Sequence, residues 1–235
     1  MWRQDRVEAQ RRYRERWLQY GYAPQTLGWN KDCQWVRFAA AFEGLCEEDC
    51  SSVLDFGCGF GDLLTFLRGK QWRGRYTGVD LVEELMVEGA KRHSSDPLAS
   101  FVYSDLEDFS SKDKAAMAVA IGIFNHRLHQ DNVDFAKNAI RHMWEASTNV
   151  VVCDFLSTSS DPDCRRDDLF YADPRQLFEI ARSFSRRVMI HHAYMPFEFQ
   201  IKIWHEDSFS TSTPVFAPYS SLARAQTNRK DHANS

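Results

Sequence analysis

From residue 52 onward, short apolar runs alternate with segments of helical period. Runs at 53–56, 76–79, 101–103, 118–123 and 150–155 are rich in Val, Ile, Phe and Ala and read as strands. Between most of them, 62–68, 82–93 and 132–146 carry apolar residues on one helical face. Alternation of this kind predicts a parallel sheet covered on both sides, and the uninterrupted apolar run in NVVVCDFL agrees with a strand buried on both faces. The end of the chain changes character. A helix is expected over 173–184, with Asp173 as cap and Pro174 in the first turn. Two strands follow at 187–191 and 197–204, and the short HAYMP connection forces them to pair antiparallel. In FEFQIKIW the apolar positions alternate, which suggests a strand near a sheet edge with one solvated face. The fold class expected is α/β: a Rossmann-like, seven-stranded, mostly parallel sheet with an antiparallel C-terminal hairpin and helices on both faces.

Upstream, Ala9, Tyr13, Trp17 and Tyr20 recur at helical spacing over residues 2–20. Trp35, Phe38, Ala39 and Phe42 do so in a second helix over 33–45. Residues 1–48 therefore form a helical cap, 49–206 the main domain, and 207–235, rich in Ser, Thr, Ala and Pro without a period, a disordered tail. The first helix is net basic. Two readings compete: a solvated face on a capping helix, or an RNA-contacting arm using Arg3, Arg6, Arg11, Arg12, Arg14 and Arg16.

Over all 235 residues the formal charge is −4, which argues against a general nucleic-acid surface. No apolar run approaches the roughly 18 residues of a membrane span, and MWRQDRVEAQRRYRER lacks the apolar centre of a secretory signal. The six cysteines form no CxxC pair and have no metal-ligand spacing, so a reduced cytoplasmic setting fits best.

The chemistry concentrates in VLDFGCGFGDLL, residues 53–64. Gly57, Gly59 and Gly61 directly after a strand allow positive φ and close backbone approach to a ligand. The spacing departs from the GxGxxG dinucleotide fingerprint, and Asp62 would repel a pyrophosphate at the helix N-terminus. A cofactor with a cationic centre and no phosphate suits the loop better. Together with YTGVDL, YSDLEDF and AVAIGIFNH, in that order, the chain resembles a class I S-adenosylmethionine-dependent methyltransferase of the small-molecule type.

Position and resemblance together imply the roles. Asp55 orients the loop or meets the cofactor ammonium, and Gly57 and Gly59 form its floor. Asp80, with Leu81 beside it, accepts from the ribose hydroxyls. Asp105 accepts from the adenine amino group and Leu106 covers the ring, with Ile123 and Phe124 nearby. Arg37 either holds the cofactor carboxylate or pairs with an acid such as Glu43, and Trp29 is either a lid or a core anchor. For transfer, Asn125 binds the acceptor, His126 is the candidate base, and Asp154 orients a base or binds substrate. The segment 158–172, with Arg165, Arg166 and Tyr171, is expected to shape the acceptor pocket. His191 and His192 should point to opposite faces. The expected activity is methyl transfer from S-adenosyl-L-methionine to a small-molecule acceptor. An RNA methyltransferase and a cofactor-binding partner protein without transferase activity remain alternatives, and a homodimer stays open.

Overall fold

The computed structural model of the protein describes residues 1–28, 31–110 and 113–222. Three helices lead: α1 (Arg3–Tyr20), the short α2 (Pro24–Leu27) and α3 (Lys31–Phe42). Then strands and helices alternate: β1 (Ser52–Phe56), α4 (Asp62–Gly69), β2 (Arg75–Asp80), α5 (Glu83–Arg92), β3 (Ala99–Tyr103), β4 (Ala115–Ala120), α6 (Asn132–Glu145) and β5 (Ser147–Leu156). After α7 (Pro174–Arg182), β6 (Val188–Met195) and β7 (Glu198–Trp204) close a seven-stranded sheet of order β3-β2-β1-β4-β5-β7-β6. The first five strands run parallel, and β7 pairs antiparallel with both β5 and β6.

Alternation along the strands divides the core in two. Leu54, Phe56, Phe155 and Phe199 pack on one face with Phe135 and Ile140 of α6. Val53, Tyr76, Met117 and Trp204 pack on the other with Phe38 of α3 and Leu64 of α4. His191 and His192 diverge in the same way. His191 Nε2 lies 3.6 Å from Glu43, whereas His192 Nε2 contacts Ser157 Oγ at 2.9 Å.

Three sequence expectations change. β4 stops at Ala120 rather than 123, because Gly122 turns to φ +87° and its N–H donates to Asp154 Oδ1 at 2.7 Å. The tail expected from 207 contains a two-stranded hairpin, β8 (Phe209–Ser210) and β9 (Thr213–Phe216). Arg186 anchors it, pairing with Asp207 at 3.2 Å and lying 4.7 Å over the Phe209 ring. The rest of the expected tail, residues 223–235, lies outside the described residues.

The third change concerns β7. It is an interior strand, and the polar face read as solvated is buried: Glu198, Gln200 and Lys202 are 1%, 0% and 0% exposed. Helix α3 covers that face and supplies partners for each. Glu198 accepts two hydrogen bonds from the Arg37 guanidinium, one of them from Nε at 2.5 Å. Gln200 Nε2 donates to the Arg37 carbonyl at 2.9 Å. Lys202 Nζ donates to the carbonyls of Ala40, at 2.7 Å, and Glu43, filling acceptors that the end of α3 leaves open. A partnered buried charge costs far less than an orphaned one. Glu198→Ala, which removes both hydrogen bonds that the Arg37 guanidinium makes to Glu198, should therefore lower unfolding free energy by about 3 kcal/mol in a denaturant titration; a loss below about 1 kcal/mol would mean the pair does not hold α3.

Candidate active site

The turn from β1 into α4 is built on backbone that side chains resist. Gly57, Gly59 and Gly61 adopt φ +79°, +53° and +73°. A Cβ on Gly57 would lie 2.3 Å from Ile123 Cγ2. Asp80, at the end of β2, fixes this loop. Its Oδ2 accepts from Gly59 N–H and its Oδ1 from Val82 N–H, both at 2.8 Å. One buried carboxylate thus ties the glycine loop to the start of the next strand-to-helix connection. Asp55 accepts from Tyr76 Oη at 2.6 Å.

These groups line a cavity beyond the C-terminal ends of β1, β2 and β4, with Leu81 and Ile123 as apolar walls. Helix α1 forms its roof and contributes Asp5, Arg12 and Tyr13. The helix is held from both sides. Asp5 accepts from the backbone N–H groups of His129 (2.7 Å) and Gln130 (3.2 Å) after β4. Across the cavity, Arg6 pairs with Asp105 (2.7 Å), Gln10 donates to the Leu81 carbonyl (2.8 Å), and Arg14 pairs with Glu84 (2.5 Å). Tyr13 and Trp17 pack beside Phe60, Val82 and Leu85.

The cavity is rich in buried acid. Burial pushes Asp55 up to about 7, helped by neighbouring Asp80 and opposed by the Tyr76 hydrogen bond. Burial likewise raises Asp80 to about 6, against the pull of its backbone donors. Among the described residues neither forms an ion pair.

A second cavity adjoins the first on the β4–β5 side and shares Tyr13, Leu27, Gly122 and His126 with it. Arg16, Asn125 and Leu169 also line it. Burial lowers His126 to about 4, and the nearby guanidinium groups of Arg12 and Arg16 push the same way, so the imidazole is neutral at pH 7. Below lies the Arg37–Glu198 pair, with Asp154 at 3.9 Å from Arg37 Nε. Burial, then Glu198, raises the Asp154 carboxyl, while Gly122 N–H and Arg37 draw it back.

A family model described as a methyltransferase domain matches residues 53–162, from β1 to six residues beyond β5. The Mycobacterium tuberculosis (strain ATCC 25618 / H37Rv) protein named "Putative methyltransferase Rv1506c" is 33% identical over 159 residues, covering 66% of this chain and 93% of that one. The chain belongs to the class I S-adenosylmethionine-dependent methyltransferases. Solved structures share the fold at lower identity. Magnesium protoporphyrin IX methyltransferase from Synechocystis PCC 6803, with bound SAH, superposes with TM-score 0.62 at 14% identity, covering 87% of this chain and 100% of that one. The N-methyltransferase NodS from Bradyrhizobium japonicum WM9, in complex with SAH, gives TM-score 0.57 at 15% identity, covering 85% and 98%.

In this methyltransferase the structure brings Asp55, Gly57, Gly59, Asp80, Leu81 and Ile123 together around the first cavity, with His126 at the junction and Asn125 on the second. The others are placed elsewhere or already partnered. Arg37 lines the second cavity but is paired with an acid, Glu198 rather than the Glu43 the sequence suggested. Asp105 sits under Arg6 of α1, and Leu106 is buried in the core cluster. Phe124 stacks on Phe155 with ring centres 4.6 Å apart, facing the α6 side of the sheet. Asp154 lies beneath the second cavity and supports Gly122. In the 158–172 segment, Arg166 lines that cavity while paired with Asp168 at 2.7 Å, and Arg165 is turned back onto the Ser160 carbonyl at 2.7 Å. Trp29 lies outside the described residues.

Sequence reasoning missed Asp5, Arg12 and Tyr13 as lining groups. Their signal was present: Ala9, Tyr13 and Trp17 mark the inner face of α1, and Asp5, four residues before Ala9, and Arg12, three after it, lie on the same face. Gly57→Ala should abolish measurable SAH binding in calorimetry, through both the Ile123 clash and the positive φ. Gly57→Ala/Ile123→Ala should recover binding except for roughly the 1–2 kcal/mol cost of a left-handed alanine. No recovery would mean the clash is not the controlling contact.

Proposed function

We propose that the first cavity binds S-adenosyl-L-methionine and that the second holds a small-molecule acceptor, to which the methyl group passes across their shared wall. The observation that carries this reading is the pair of buried carboxylates, Asp55 and Asp80, raised toward neutrality in a cavity where no described cation pairs with them. A cationic ligand supplies the missing charge. Asp80 spends one lone pair of each oxygen on backbone and retains others for vicinal hydroxyls. The Synechocystis and Bradyrhizobium relatives were solved with SAH bound.

When bound, S-adenosyl-L-methionine supplies a sulfonium methyl already activated for in-line displacement, so the protein contributes chiefly alignment and exclusion of water. Helix α1 closes the top of the cavity through Tyr13. Ile123, pressed against Gly57, walls the side from which an acceptor would approach. His126, uncharged at neutral pH, presents a ring nitrogen able to receive a proton from an acceptor hydroxyl or amine.

A small acceptor fits better than RNA because the basic helix is largely spent. Arg6, Arg11 and Arg14 are paired with carboxylates, and Arg12 and Arg16 turn inward. The solved relatives include a magnesium protoporphyrin IX methyltransferase, whose named substrate is a small molecule.

The pH dependence tests the cofactor assignment. A cation favours ionised Asp55 and Asp80, so binding releases protons while these groups are partly protonated. Affinity should rise as pH climbs from about 5 toward 8 and then level, since the free-protein values are about 7 and 6. Asp80→Asn should weaken S-adenosyl-L-methionine binding about tenfold or more and flatten the profile. Undiminished affinity in Asp80→Asn would remove Asp80 from the ribose site.

A further inference from the structure

Resting on the two-cavity reading above, we infer that the acceptor is a small anion carrying a hydroxyl or amine, with its carboxylate or phosphate held by Arg16 of α1 and its donor group on Asn125.

The arginines of α1 are not equivalent. Arg6, Arg11 and Arg14 each meet a carboxylate, at 2.7, 3.2 and 2.5 Å. Arg12 and Arg16, one helical turn apart, are half-buried, point at the cavities, and have no carboxylate partner among the described residues. A half-buried guanidinium without a counter-ion is costly unless a ligand supplies one. Arg12 lines the first cavity together with Asp5, Glu8, Asp55 and Asp80, so its charge sits in an acid-rich lining. Arg16 lines only the second. There the Arg37 and Arg166 charges are already answered by Glu198 and Asp168, which leaves Arg16 as the uncompensated charge on the described wall.

Its position is set by the chain around it. The guanidinium carbon lies 5.6 Å from the Tyr13 ring centre. Nη1 rests against Gly28, where a Cβ would come within 2.9 Å. Gly28 itself has φ +73°, so the backbone leaves that space by conformation as well as by size.

A second observation points into the same cavity. Asn125 Oδ1 is buried and accepts no hydrogen bond among the described residues. An acceptor molecule with a hydroxyl or amine supplies the missing donor, and His126 stands next in sequence, on the wall shared with the cofactor cavity. The chemistry required is therefore bifunctional: an anion at Arg16 and a protonated nucleophile at Asn125. A neutral apolar molecule leaves both groups unsatisfied.

The test uses matched probes on full-length protein loaded with SAH: 4-hydroxybenzoate against 4-hydroxybenzamide, and glycerol 3-phosphate against glycerol, read by saturation-transfer NMR and calorimetry. At least one anion should bind about tenfold more tightly than its neutral partner, as expected for a charge-assisted pair. Arg16→Gln should erase that preference while leaving SAH affinity and melting temperature unchanged, and Arg3→Gln should leave the preference intact. If no anion outbinds its neutral partner, or the preference survives Arg16→Gln, the inference fails. If Arg16→Gln weakens SAH instead, Arg16 serves the cofactor and the inference fails in that way. Failure of SAH to bind the wild-type protein would instead overturn the proposed function.

Discussion

The contact on which the site depends is the Asp80 carboxylate accepting from Gly59 and Val82 N–H. Glycines at positive φ give a loop its freedom and nothing to hold it in one shape. Asp80 removes that freedom with two hydrogen bonds to an acceptor that is buried and therefore strong. It does so from the end of β2, which pairs in register with β1. Sheet geometry thus sets the carboxylate, and the carboxylate sets the loop. The cavity between that loop and α1 exists because both are pinned to the same strand ends.

Charge is sorted on this frame. Acids without a described cation collect where a sulfonium would lie. On the neighbouring side Arg37 is paired with Glu198 and Arg166 with Asp168, and Arg16 is left over. His126 stands at the junction, kept neutral by burial and by guanidinium groups on α1. The first helix is therefore more than a cover. Its outer arginines fasten it down, and its inner ones set the potential of both cavities.

Strand positions, most helix positions and the glycine loop were legible in the sequence, because apolar period and turn chemistry are local signals. So were Asp80 and its neighbours, which sit at fixed offsets from strand ends. Partners chosen across the fold were not. Nothing near Arg37 in sequence announces Glu198, 161 positions away. The alternation in FEFQIKIW correctly gave a strand with one polar face, but whether water or α3 meets that face is a tertiary fact. Phe124 comes four residues after β4, and the turn at Gly122 rotates it into the core beneath the sheet. The same turn leaves Ile123 in the cavity. One residue of offset separated a wall from a buttress.

The most direct measurement is a crystal structure of the protein with SAH. The account predicts adenosine density between residues 57–61 and the Tyr13 face of α1, with the ribose hydroxyls within hydrogen-bond distance of Asp80. Density elsewhere, or a ribose out of reach of Asp80 with the Asp80–Gly59 bond intact, would contradict it.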